Sequence, residues 1–367
     1  MLIYLIVFIS ILILMYLYQN STNKNLSMIY LLSVFYILFF FLSLRYNTGA
    51  DYVNYTVFIN EILEKNDYFH FEIGWAPLFF IMDVLNLNAH FFFVITSFIT
   101  SLLILKSIPK ENAVVGISLY LCLGYIELFS VVRQCFGATI FTFFLSLFDK
   151  TGKKRFLFIG TILGSLFHKS ILILIAIIPI VLIFQKMTNN MTNKKNVFLF
   201  FLLVIFFSVF NIGDFVIEKI LPLTSYAIYA RMGDALIGTQ RKGTGLGVLL
   251  RYLICLGVLF YYKPTGMSFE EQFDSNKKVK IGFTYVLTFL FVISNEIAVF
   301  MRLPLLLNTS LCVFYDGKPN KYRKLQNLFL VTLCFLLYLA TIMKSTRDIK
   351  GSWKLLPYYS IFEYGLF

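Results

Sequence analysis

The chain has 367 residues, 59% of them hydrophobic and only 14% charged, with a formal net charge of +13. A mean hydropathy of +0.79 is too high for a water-soluble fold of this length, so lipid must be its solvent. In that setting the basic excess reads as lysine-rich loops that set orientation and meet anionic lipid, not as a nucleic-acid surface.

A hydrocarbon core of roughly 30 Å takes about 20 apolar residues per helical crossing, and a helix satisfies its backbone polar groups within its own segment. The runs are continuous, without the alternation of a transmembrane barrel. They fall at 2–18, 27–44, 89–106, 113–130, 132–148, 156–167, 169–185, 197–212, 247–262, 281–295, 297–314 and 326–343, which predicts an all-α polytopic protein with about twelve spans. The first run lacks a basic start and a small-residue cleavage site, so it reads as a retained span and not a secretory signal. The stretch 73–86 is shorter and bracketed by Gly74, Pro77 and Asn86, as expected of an interfacial or re-entrant helix. The short runs on either side of His168 read as half-helices or as one tight hairpin. With no internal repeat, residues 1–367 form a single transmembrane domain, and 45–88, 213–246 and 344–367 are the segments long enough to build a site. Cys122, Cys135, Cys255, Cys312 and Cys334 stand singly in apolar runs, implying neither a disulfide framework nor a metal site.

Loops at 19–24, 106–110, 149–155, 185–195, 263–280 and 316–324 share one side in this scheme and hold 18 of the 32 basic residues, so that side is cytoplasmic. Only Arg155 and Arg323 among those 18 are arginine, whereas Arg45, Arg133, Arg231, Arg241, Arg251, Arg302 and Arg347 lie elsewhere. Orientation alone has no use for that preference. Arginine is suited to bidentate binding of phosphate or carboxylate, so the far face reads as an anion site.

The stretch RYNTGADYVNY places Arg45, Asp51, Tyr52 and Tyr55 beyond the second span, with Gly49 allowing a turn. It is read either as an aromatic belt or as part of a site, and Asp51 weighs against a mere basic anchor. FEIGW carries Glu72, either a helix-start charge or a partner for an arginine or a sugar hydroxyl. Glu127, Arg133 and Gln134 lie between two closely joined spans, where charge is costly unless it lines a wet cavity. LFHKS puts His168 and Lys169 at a break in an apolar run, a functional candidate in a membrane. The run RKGTGLG lacks a Walker ending and reads as an external loop. Asn295, Glu296 and Arg302 follow at a span junction, with a structural ion pair as the competing reading. There is no DxD, HExxH, GxSxG or P-loop, so an enzyme on this face must take a donor already held in the membrane.

The ordered set Arg45-x3-Gly49-x-Asp51-Tyr52-x2-Tyr55, Glu72-x-Gly74, Arg133-Gln134, His168-Lys169-Ser170 and Arg302 resembles the EpsG branch of Wzy-type polysaccharide polymerases over about residues 40–305. The resemblance implies a membrane glycosyltransferase architecture of GT-C-like type in the bacterial cytoplasmic membrane. Its expected activity is polymerisation of O-antigen, capsule or exopolysaccharide repeat units on undecaprenyl diphosphate at the periplasmic or outer face, without metal or other cofactor. A chain-length regulator and a flippase are its expected neighbours. In that reading Arg45, Arg133, Arg302 and Arg231 contact the diphosphate. His168 is the first choice for activating the acceptor, with Glu72 or Asp51 second, and Tyr52, Tyr55, Gln134 and Glu296 meet the sugars. Direct displacement would invert the anomeric centre. A lipid-linked oligosaccharide transporter and an O-antigen ligase are the competing readings; ionisable residues gathered at one face favour an enzyme over the first.

Overall fold

Asn23 shows how closely the first two apolar runs are separated: its side chain accepts hydrogen bonds from the amides of Asn25 and Leu26 and so starts a new helix. In the computed structural model, which describes residues 1–191, 198–203, 246–261, 275–296, 302–315, 323–346 and 354–364, that helix is α2 (Lys24–Ser43) and follows α1 (Leu2–Asn20). The 45–88 segment then gives α3 (Tyr52–Lys65) and α4 (Ala76–Val84), and α5 (His90–Ser107) returns. Next come α6 (Ala113–Tyr120), α7 (Val132–Thr151), α8 (Arg155–Ser165) and α9 (Ile173–Met191). The later helices are α10 (Leu246–Tyr261), α11 (Ser275–Glu296), α12 (Leu305–Asn308), α13 (Leu311–Phe314) and α14 (Arg323–Met343).

Among the described residues five helical segments are long and apolar enough to cross a membrane: α1, α2, α5, Lys110–Phe129 and α14. Lys110–Phe129 is 94% buried where α1 is 28% buried, so the bundle is built around the former. That central segment is α6 continued through a π-helical turn at Leu121–Tyr125 and a 3-10 turn at Glu127–Phe129. The expected spans at 156–167 and 297–314 correspond to shorter apolar helices, Arg155–Ser165 and Leu305–Phe314, and most of 197–212 lies outside the described residues. The all-α membrane class holds, with five long apolar helices and further shorter ones among the described residues. At 73–86 the expected short helix forms as a 3-10 turn, Ile73–Trp75, running into α4. All five cysteines are free and buried.

Contacts sort the two ends of the bundle. At one, Lys110 donates to Ser21 O at 2.9 Å, Lys150 to Lys106 O at 3.4 Å and Arg323 to Asn112 Oδ1 at 2.5 Å, while Lys280 pairs with Asp149 at 2.6 Å. Five of the six basic loops therefore meet there; the side chains of 185–195 are outside the described residues.

At the opposite end β1 (Arg45–Tyr46) pairs antiparallel with β2 (Tyr359–Ser360), Arg45 facing Ser360 in register. Further bonds tie the same two stretches, from the Gly49 amide to Lys354 O at 3.1 Å and from the Ile361 amide to Leu44 O at 2.9 Å. Gly49 is required here: its φ is +110°, and a Cβ would lie 1.7 Å from the carbonyl oxygen of Phe129. A second apolar core, separate from the main one, lies under this end, with Tyr52, Tyr55, Ile59 and Ile62 of α3 packing with Trp75, Phe79, Phe92, Phe93, Val132 and Phe136. The spacing of the α3 residues is that of one helical face, so α3 packs that face against this aromatic floor.

Candidate functional site

Three segments distant in sequence are stitched together by backbone before any charge is considered. α8 has 11 residues and a length of only about 16 Å, against 20 residues and about 30 Å for α7, so it ends well short of its neighbour. The segment before α4 folds onto that end. The Gly74 amide donates to Leu166 O at 2.8 Å and Trp75 Nε1 to Phe167 O at 2.9 Å, satisfying carbonyls that α8 leaves open. A side chain at position 74 would put its Cβ 2.6 Å from Leu166 O, so only glycine permits the approach.

This stitching brings Glu72 against His168, which lies in extended conformation between α8 and the 3-10 turn Lys169–Leu172. Glu72 Oε1 is 3.2 Å from His168 Nδ1, and Arg133 Nη1 donates to Glu72 Oε2 at 2.8 Å. Arg133 is in the first turn of α7, its guanidinium 4.1 Å above the Phe71 ring. Its backbone amide donates to the Tyr55 hydroxyl at 3.4 Å, so α3 caps α7. Burial raises the Glu72 carboxyl pKa, but the His168 hydrogen bond and the Arg133 charge outweigh it and hold the pKa at about 2. A carboxylate so stabilised is a poor proton acceptor at neutral pH. Being ionised, it accepts from Nδ1, and a neutral imidazole so placed carries its lone pair on Nε2. Among the described residues Nε2 has no hydrogen-bond partner.

The neighbouring residue on α7 points to a second cation. Gln134 Nε2 donates to the carbonyl oxygen of Arg302 at 2.7 Å, and the Arg302 side chain lies 3.6 Å from Asp51. The head of α7 thus gathers Arg133, Arg302, Asp51, Glu72 and His168 around the helix N-terminus, where the dipole adds to the positive charge.

A model of the EpsG family matches residues 28–360, nearly the whole chain. The chain belongs to the EpsG family. That family is Wzy-type polymerase-like, and it gives the coarse role, polysaccharide synthesis at a membrane. No curated protein and no solved structure matches.

Within this EpsG-family chain, several sequence-predicted site residues occupy positions that composition did not foretell. Arg45 is 1% exposed, between the rings of Phe93 at 4.8 Å and Phe129 at 5.1 Å, and it donates to Leu128 O at 3.0 Å. Burial pulls its guanidinium pKa down to about 10, so it is charged at neutral pH but sealed from any ligand in this structure. As placed it fastens the start of the 45–88 segment to the central helix. Tyr52 and Tyr55 are buried as well: Tyr52 stacks on Phe93 with centroids 4.7 Å apart, and Tyr55 contributes to the aromatic floor. Neither presents a face to a sugar here. Gln134 is 1% exposed and acts through Arg302. Arg231 and the side chain of Glu296 lie outside the described residues.

Trp75 and Phe71 carry roles that the sequence reading passed over. Both flank Glu72 in FEIGW, and an acid framed by aromatic residues near a membrane surface is the pattern that marks them. Glu127 belongs to the interior: Asn308 Nδ2 donates to its two oxygens at 3.3 and 3.1 Å.

Proposed function

We propose that this EpsG-family protein is a polysaccharide polymerase of GT-C-like architecture. It transfers a growing glycan from undecaprenyl diphosphate onto a lipid-linked repeat unit of an O-antigen, capsule or exopolysaccharide. The observation that carries the reading is Glu72 bridging Arg133 and His168, which sets a cation and a proton acceptor side by side at one end of a membrane bundle. The lysine-rich opposite end is cytoplasmic by the positive-inside rule, so the site faces the periplasm or exterior.

His168 Nε2 takes the proton of the acceptor sugar hydroxyl as its oxygen attacks the anomeric carbon. The bond from that carbon to the diphosphate oxygen breaks with inversion, and the leaving diphosphate keeps the electron pair. Arg133 and Arg302 meet the charge that develops on it. Glu72 positions both partners and does not itself accept the proton, a change from its second-choice role as base. Chain-length regulator and flippase remain its proposed neighbours.

The test is Arg133→Ala and His168→Ala, made separately in cells, with gel analysis of surface polysaccharide. Loss of long chains at normal protein level is expected, and their survival would overturn the assignment. With purified protein and lipid-linked repeat units, a product ladder supports a polymerase. Transfer to a lipid A core instead means a ligase, and no bond formation leaves a transporter.

A further inference from the structure

Arg133 and Arg302 are each held by a carboxylate from the same outer segment, and the two pairs are unequal. Glu72 and Arg133 meet at 2.8 Å with side chains 9% and 26% exposed. Asp51 and Arg302 stand 3.6 Å apart with side chains 30% and 61% exposed. The looser pair nevertheless has a firm footing on both sides. Gln134 fixes the Arg302 carbonyl at 2.7 Å, and around Asp51 the Ala50 amide donates to Ser130 Oγ at 2.8 Å and the Tyr55 amide to Asp51 O at 3.0 Å. Asp51 stands at the start of α3, where carboxylates commonly cap, yet its side chain makes no capping bond. Its carboxylate is aimed at the arginine instead.

We propose that Asp51 is an internal stand-in for the anionic group of the donor: it holds Arg302 in the empty site, gives way to phosphate oxygens on binding, and recaptures the guanidinium as the diphosphate leaves. This rests on the diphosphate reading of Arg133 and Arg302. Asp51 is then a positioning residue acting through Arg302, not a base. Breaking the pair costs the same whichever anion arrives, so removing the Asp51 charge strengthens every anion by one common factor. For an exposed ion pair that factor is about two- to fivefold. Its use is turnover, because a site that pairs its arginine on exit releases the leaving group faster.

The experiment titrates inorganic pyrophosphate, then inorganic phosphate, into the purified full chain in micelles by calorimetry. Asp51→Asn is expected to bind both about two- to fivefold tighter by the same factor, and to lower KM and kcat together in elongation assays. Arg302→Ala is expected to weaken binding, and the double variant to match Arg302→Ala alone. Unchanged or weaker binding by Asp51→Asn overturns the proposal, as does a gain that persists without Arg302. A fall in kcat with KM unchanged also overturns it, as the behaviour of a base. If neither Arg133→Ala nor Arg302→Ala alters pyrophosphate binding, the diphosphate reading itself fails, an outcome distinct from failure of Asp51 alone.

Discussion

Replacing Glu72 by Gln keeps the shape of the side chain and removes the charge between Arg133 and His168. The carboxyl is held at about 2 against 4.5 for an ordinary glutamate, a gap worth roughly 3 kcal/mol at about 1.4 kcal/mol per pKa unit. Solvent at the membrane surface screens part of this, so the variant is expected to lose about 1–3 kcal/mol of stability. The sign follows from linkage. The folded-state pKa lies below the unfolded one, so the stabilisation is complete above about pH 5 and is lost as the pH falls through about 2. Melting of the wild type in micelles should therefore fall more steeply on acidification through that window than melting of Glu72→Gln. Activity is affected by a different route. The imidazole loses the partner that keeps its proton on Nδ1, and general-base catalysis worth about 10²–10⁴ in rate is mostly forfeited. The assay is ladder formation from lipid-linked repeat units, read with the melting curves on the same preparations. Wild-type elongation together with an unchanged acid limb would refute both halves of the reasoning.

Three other outcomes follow from the geometry. Trp75→Phe keeps an aromatic ring but loses buried volume and the bond to Phe167 O, so it should cost about 1–3 kcal/mol in melting and lower elongation by loosening His168, measurable as a fall in kcat. Gly49→Ala meets both a positive φ and the Phe129 carbonyl, so it should destabilise by about 2 kcal/mol or more and reduce the folded yield in detergent. Lys280→Met removes the buried ammonium that pairs with the partly exposed Asp149 and should cost about 1–3 kcal/mol, read in the same melting assay.

Much of the scaffold was legible in the sequence because a membrane imposes strong local rules. Apolar length and loop charge are properties of contiguous residues, and the short helix near 76–84 and the gathering of the basic loops both followed from them. The order of the short motifs was legible too, and it pointed to the family. What local rules do not carry is the partner of each charge. Arg45 and Arg133 look alike in sequence, each following an apolar run or lying between two. One is sealed between Phe93 and Phe129, and the other reaches Glu72. Nor do local rules carry which way a tyrosine faces: Tyr52 and Tyr55 share the face of α3 that packs into the aromatic floor. The meeting of Glu72 with His168 depends on α8 stopping early, a matter of length relative to a neighbour 30 positions away or less. Span counting meets the same limit, since an apolar window says nothing of where its helix will stop: 156–167 and 297–314 fold as the shorter helices Arg155–Ser165 and Leu305–Phe314.

The ribbon between Arg45–Tyr46 and Tyr359–Ser360 has a consequence for biogenesis. Tyr4 at the head of α1 also donates to Leu355 O, 351 positions downstream. The platform that carries Asp51 therefore has no completed edge until the helices in between have been threaded into the bilayer. Such late closure makes it an assembly checkpoint: a chain arrested before residue 355 would carry the acidic and aromatic residues of the site yet lack the clasp that joins them to the end of the chain's fold.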